Sequence, residues 1–347
     1  MINESILKNI QILFSTTSCL SLGIAFLIFW INFLIIYSVK ITKIINTILS
    51  YSHISIFLVL FFRWFFYGYF PLSNLYESLL LIVWNLLTIY LYCEYKTKTS
   101  LISVALLPII LLVNSFSNIS LPSDMQLANS LVPSLQSNWL VLHVFMMLSS
   151  YSFLITGSAL CILFLIISKF QFLNQDFLST YEFVTNSSFP FVKVILSKKF
   201  VNPYKFTVPS ALFKLLSNYA RRSIDPIYSN ELNLYSRRLC DIQILKRVDE
   251  WSYKAIGFGF PTLVVGIISG AIWANEAWGS FWSWDPKEVW ALITLFVFTS
   301  FLHARLIYNW NGTNSAFLGS CGFFIVWICY LGVNFLGQGL HNYGWLL

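Results

Sequence analysis

Residues 273–290 read Trp-Ala-Asn-Glu-Ala-Trp-Gly-Ser-Phe-Trp-Ser-Trp-Asp-Pro-Lys-Glu-Val-Trp and hold five of the chain's thirteen tryptophans (Trp273, Trp278, Trp282, Trp284, Trp290). Interfacial anchoring accounts for one or two of them. The rest form an apolar aromatic surface, and such surfaces mark binding sites. Gly279 permits a tight turn or a close approach of backbone to a ligand. The matching ligand is large, flat and apolar: a porphyrin, a quinone or an aromatic peptide. Asp285-Pro-Lys-Glu288 also reads as a helix start, with Asp at N-cap, Pro at N1 and Glu at N3. Lys287, beside that helix start, either meets an anionic group of the ligand or snorkels to the interface.

The elements that must position these residues are membrane spans. The chain has 347 residues, 57% hydrophobic and 10% charged, with mean hydropathy +0.72. A soluble domain carries about 25% charged residues. The apolar runs are long and unbroken, which argues for helices and against a β-barrel. The expected fold is an all-α polytopic membrane protein with about eight transmembrane helices, near 17–37, 53–70, 75–93, 100–116, 139–168, 254–273, 288–308 and 316–336. The tryptophan-rich segment lies between the sixth and seventh. Met1–Lys8 is polar and resembles no signal peptide. The six cysteines are scattered with no C-x-x-C, so they read as apolar fillers.

Three regions follow: N-terminal spans in 1–168, a basic loop over 169–250, and the tryptophan-rich region with the last three spans in 251–347. The loop holds twelve Lys/Arg against seven Asp/Glu. It has little hydrophobic periodicity, and no fold is assigned to it. Lys40, Lys43, Lys96, Lys98 and Arg305 fall on the same side as this loop if eight spans alternate. The excess of basic residues places that side in the cytoplasm-equivalent compartment. Both termini, loop 117–138, the tryptophan segment and the tail 337–347 then share the opposite, outer side. No nucleic-acid partner is expected.

That parity sorts the histidines. His143 lies just inside the fifth span at its outer end, and His341 lies in the outer tail. Two imidazoles beside one aromatic platform are what a six-coordinate haem iron needs. His303 lies fifteen residues after Glu288 on one helix, ~22 Å deeper, so it cannot share that ligand. It marks a second site or none. His53 is ranked as structural. Arg63 lies inside the second span and must face protein or snorkel.

These residues resemble the haem-handling membrane proteins with the tryptophan-rich WWD signature, here Trp278-Gly-Ser-Phe-Trp282-Ser-Trp284-Asp285. Ala274-Asn-Glu-Ala-Trp278, Asp285-Pro-Lys-Glu288, Asn309-Trp-Asn-Gly-Thr-Asn-Ser315 and Gly339-Leu-His341 narrow the likeness to the plastid-type CcsA (ResC) family of system II cytochrome c biogenesis. So do Arg63-Trp64, Phe70-Pro-Leu-Ser-Asn-Leu-Tyr-Glu-Ser78 and Leu142-His143-Val144. The resemblance implies that His143 and His341 are external axial ligands of haem b. Trp273, Trp278, Gly279, Trp282, Trp284, Asp285 and Lys287 would form its platform. His303 would be the ligand of an inner transmembrane haem, completed by a CcsB (ResB) partner. The chain would be a subunit of a cytochrome c haem lyase or synthase. It would present haem on the lumenal side of a thylakoid membrane for attachment to C-x-x-C-H of apocytochrome c.

Three other readings stand beside it. A CcmC- or CcmF-like protein would handle haem with a different partner. A quinone or aromatic-substrate transporter would carry mid-membrane charges or broken inverted repeats, and the sequence shows neither. A purely structural scaffold would leave the histidines unused.

Overall fold

The computed structural model describes residues 4–36, 38–97, 101–128, 137–172 and 226–336, and these are helical with no strand among them. The helices are α1 (Glu4–Ile31), α2 (Val39–Tyr67), α3 (Leu75–Thr97), α4 (Leu101–Ser115), the one-turn α5 (Ser123–Gln126), α6 (Asn138–Phe172), α7 (Pro226–Trp278), α8 (Pro286–Leu306), α9 (Thr313–Trp327) and α10 (Val333–Leu336). Wide π-helical turns extend α1 over Asn32–Ile36, α4 over Phe116–Ser120 and α9 over Ile328–Gly332. Eight helices are long and apolar enough to cross a membrane, as the sequence leads one to expect. The chain is a multi-pass membrane protein whose every described backbone segment within a span is helical, which satisfies its polar groups internally.

Besides the second span, which begins at Val39 rather than near 53, two boundaries differ from expectation. The first span begins at Ile6 rather than near 17. Gln11, Ser15 and Ser18 lower the hydropathy there, yet all three are buried. Serines also line the facing α2, and Ser21 Oγ lies 2.7 Å from Ser52 Oγ. The second difference is α7, which begins at Pro226, inside the basic stretch to which the sequence assigns no fold. Residues 173–225 of that stretch lie outside the described residues.

α6 is the axis of the bundle. It packs against α7 along most of its length and also against α3, α4 and α9. Glycines of α7 allow this approach: a Cβ at Gly259 would meet the Leu154 side chain at 2.9 Å, and one at Gly266 would meet Met147 Sδ at 2.7 Å. Small residues in this role let membrane helices come close enough for dispersion to hold them.

Two buried ion pairs fasten the bundle at its opposite ends. Arg305 of α8 reaches both oxygens of Asp249 on α7 at 2.9 Å and Ser315 of α9 at 3.2 Å. At the other end Arg63 of α2 donates to Glu77 of α3 at 2.9 Å, with Glu77 fully buried. This answers the question Arg63 raised: its charge faces protein.

Candidate functional site

At the end of the bundle that carries the tryptophan segment, a cavity of about 500 Å³ opens between the α2–α3 loop, α6, α7, α8 and the wide turn after α9. Its wall is largely apolar, with a few polar groups, and its size suits a large organic ligand. His143, Trp273, Trp278, Trp282 and Lys287 all line it. Residues that lie far apart in sequence therefore converge, as span alternation requires.

His143 is the best-defined polar group of the wall. Its Nδ1 lies 2.7 Å from the carbonyl oxygen of Gly266. A carbonyl only accepts, so Nδ1 carries the hydrogen and Nε2 carries the lone pair. This is how a backbone carbonyl orients a metal-ligating imidazole. The ring lies nearly parallel to Trp273, with centroids 6.3 Å apart and 11° between planes. Trp278 meets Trp273 edge-on at 4.7 Å. One imidazole and two indoles thus form one aromatic corner.

Gly270 backs that corner. A Cβ there would stand 2.5 Å from His143 Cε1 and Nδ1. Gly266 and Gly270 are therefore parts of the site: one supplies the carbonyl that fixes the tautomer, the other the room for the ring. Their i, i+4 spacing in an apolar helix is the sequence signal that could have found them.

The segment 279–285 closes the mouth. Gly279 adopts φ 78°, the left-handed conformation that favours glycine. Trp284 adopts φ 58° without being glycine, a backbone state that costs about 1–2 kcal/mol. That twist leaves Trp282 in the wall and sends Trp284 outward, 70% exposed and edge-on to Trp282 at 6.0 Å. Gly279, Trp284 and Asp285 do not line the cavity.

Asp285 is the N-cap of α8. It accepts from the Lys287 N–H at 3.2 Å, and Glu288 accepts from the Asp285 N–H at 3.2 Å, closing a capping box. Glu288 also takes the Ser283 N–H at 2.8 Å, which ties the tryptophan segment to the helix start. Asp285→Ala should lower stability by about 1 kcal/mol while leaving ligand affinity within twofold. Thermal midpoints and ligand titrations in detergent check this.

The opposite wall comes from Leu72, Ser73 and Asn74, between α2 and α3. Glu77 holds this loop. It accepts from Arg63 Nη1 at 2.9 Å, Tyr69 Oη at 3.0 Å, and the Ser73 N–H and Oγ at 2.9 and 3.0 Å. Arg63 also donates to the Gln126 carbonyl and lies over the Tyr76 ring at 4.7 Å. Burial, and next the Glu77 carboxylate, push the Tyr69 phenol above its ordinary pKa, so it stays a donor to Glu77. This network is where the Arg63 and Phe70–Ser78 motifs meet. Sequence reading left them without a structural role.

The remaining histidines are elsewhere. His303 is exposed on α8, edge-on to Tyr308 at 5.5 Å, and does not line the cavity. His53 shares a 2.9 Å hydrogen bond with Thr88 and stacks on Trp84 at 5.2 Å, as a structural residue does. His341 lies outside the described residues. Sequence reasoning missed Tyr151, Cys329, Tyr330 and Asn334, which line the inner part of the cavity. In sequence they look like ordinary span residues. The wide turn Ile328–Gly332 contains two of them and ends two residues before Asn334. Such turns recur at functional sites.

The family model described as cytochrome C assembly protein matches residues 72–341. The chain is 50% identical over 295 residues to the cytochrome c biogenesis protein CcsA of Trieres chinensis, covering 85% of this chain and 84% of that protein. It is 46% identical over 323 residues to CcsA of Porphyra purpurea, with 93% of each covered. To CcsA of the cyanobacterium Microcystis aeruginosa it is 42% identical over 284 residues, 82% of each.

Proposed function

The chain belongs to the cytochrome c assembly protein family, and from that premise we propose that it is the haem-handling subunit of a cytochrome c synthase. It holds haem b in the cavity of about 500 Å³ and presents it for covalent attachment to apocytochrome c. The observation that carries this reading is His143. Its Nδ1–H is fixed on the Gly266 carbonyl, which leaves the lone pair on Nε2, and the ring sits in a wall built from Trp273, Trp278 and Trp282. A flat aromatic macrocycle with a metal at its centre satisfies both features. A quinone would use the indoles but would not need the imidazole in that tautomer.

His341 is the second axial ligand in this account, and the family match extends to that residue. Haem is the substrate, and it supplies vinyl groups across which cysteine S–H bonds add to form thioethers. The chain's own residues bind and orient: His143 fixes the iron position, and the tryptophans exclude water from the faces of the macrocycle. Lys287 meets an anionic side chain. Trp284, exposed at the mouth, faces the incoming apocytochrome. Gly279 and Asp285 set the turn and the helix start between which Trp282 is held.

His303, exposed near the other end of α8, is the ligand of an inner haem whose second ligand comes from a CcsB-type partner. The relatives from algae and a cyanobacterium fit a plastid protein. In that setting the cavity and both termini face the thylakoid lumen, and the basic segment 169–250 faces the stroma.

The test is the visible spectrum of the full chain, purified with its bound haem, against His143→Gly. The wild type should show low-spin bis-imidazole bands. The variant should lose them and recover them with added imidazole. An unchanged spectrum in the variant rejects His143 as a ligand.

A further inference from the structure

We propose that Asn334 recognises an acidic side chain of the bound tetrapyrrole, its Oδ1 accepting a hydrogen bond from a protonated carboxylic acid group. This rests on the reading of the cavity as a haem site. Asn334 lines that cavity and is 2% exposed. Its Nδ2 donates to the Tyr330 carbonyl at 2.7 Å. That carbonyl can only accept, so the amide cannot be flipped, and Oδ1 is fixed as the other atom. Oδ1 is buried and meets no donor among the described residues. A buried acceptor left in this state is costly, and each such atom in a native protein calls for a partner.

Two tyrosines that line the same cavity have other partners for their hydroxyls. Tyr330 Oη lies 2.8 Å from Ser78 Oγ, and Tyr151 Oη lies 3.4 Å from Cys329 Sγ. With no donor among the described residues, the partner of Oδ1 is assigned to the ligand. A ferric or ferrous haem carries methyl, vinyl and two propionic side chains at its edge. Among these only a protonated propionic acid donates. Burial in a largely apolar cavity favours the neutral acid over the carboxylate.

The ionisable groups around this position are Lys287 and Glu288 from α8, His143 and Tyr151 from α6, and Cys329 and Tyr330 from Asn334's own segment. Glu288 serves the helix cap. Lys287 is the cation of the set and takes the second, ionised propionate. One acid and one carboxylate, read by an amide oxygen and an ammonium, would fix which edge of the macrocycle points inward.

The full chain in detergent would be depleted of haem and titrated with ferric haem and with its dimethyl ester, which has no acid O–H. Wild type should bind haem at least tenfold more tightly than the ester at mildly acidic pH. That advantage should shrink by up to tenfold per pH unit as the medium rises above the pKa of the free acid, since binding then takes up one proton. The ester has no acid proton to take up and serves as the reference. Asn334→Leu should lose the pH-dependent part of the preference, keep the part that the Lys287–propionate pair contributes, and bind the ester within twofold of wild type. A pH-dependent preference retained in full in Asn334→Leu, or a wild type that does not distinguish acid from ester at any pH, overturns the proposal. The pH series on wild type decides the matter if the variant fails to assemble. Failure to bind either tetrapyrrole rejects the haem reading itself, whereas binding without acid preference rejects only this inference.

Discussion

Gly270→Val should reduce bound haem at least tenfold while leaving a helical, monodisperse protein in detergent. The Cβ alone would stand 2.5 Å from two atoms of the His143 ring. Neither side has slack: the ring is stacked beside Trp273 and its Nδ1 is tied to Gly266. Relief requires the imidazole to leave the Gly266 carbonyl, which releases both its orientation and its tautomer. Gly257, on the same helix, is the control. A Cβ there meets nothing within 4 Å. Gly257→Ala should keep full haem content and gain up to about 1 kcal/mol from helix propensity. Haem content by spectrum and helicity by circular dichroism separate the two outcomes. Equal haem content in Gly270→Val and Gly257→Ala would remove His143 packing from the account.

Glu77→Ala should be the most destabilising of the single substitutions considered, by about 3–5 kcal/mol, because it strands the buried Arg63 charge. The effect exceeds that of one lost hydrogen bond. Four donors lose their acceptor together: Arg63 Nη1, Tyr69 Oη, the Ser73 N–H and Ser73 Oγ. Arg63→Leu combined with Glu77→Leu should recover much of the stability, since a buried pair is readily replaced by apolar side chains. It should not recover ligand binding, because Ser73 and Tyr69 remain without their acceptor and the loop that carries Leu72–Asn74 is unfastened. Thermal midpoints with haem titrations test both halves. A double variant that regains stability and binding together would make Glu77 a stability residue only.

Much of this arrangement is legible in the sequence, for identifiable reasons. Lipid demands long apolar helices, so the eight spans stand out from hydropathy alone. Alternation of spans then brings His143 and the tryptophans to one end, where the cavity holds them. The start of α1 is not legible, because Gln11, Ser15 and Ser18 look like solvent-facing residues and instead pack against a neighbouring helix. The start of α7 at Pro226 is hidden for a related reason: a helix outside the apolar region needs no hydropathy signal. Inside the site, side-chain chemistry is readable and support is not. Gly266 and Gly270 act through a carbonyl and through empty space, neither of which a residue type announces. Asn334 depends on the wide turn before it, which no local pattern in Ile328–Gly332 foretells. Asp285 shows the converse: the capping pattern foresees its role, and the cap is what the structure contains.

The central claim is that the His143 and tryptophan cavity binds haem, and titration of the haem-depleted full chain with ferric haem tests it most directly. Absorbance would report iron ligation, and tryptophan emission would report proximity of the macrocycle to Trp273, Trp278 and Trp282. The account predicts saturation near one equivalent, with low-spin bands and quenched emission appearing together, and loss of both in Gly270→Val. Binding that does not saturate, or that is identical in wild type and Gly270→Val, would contradict it.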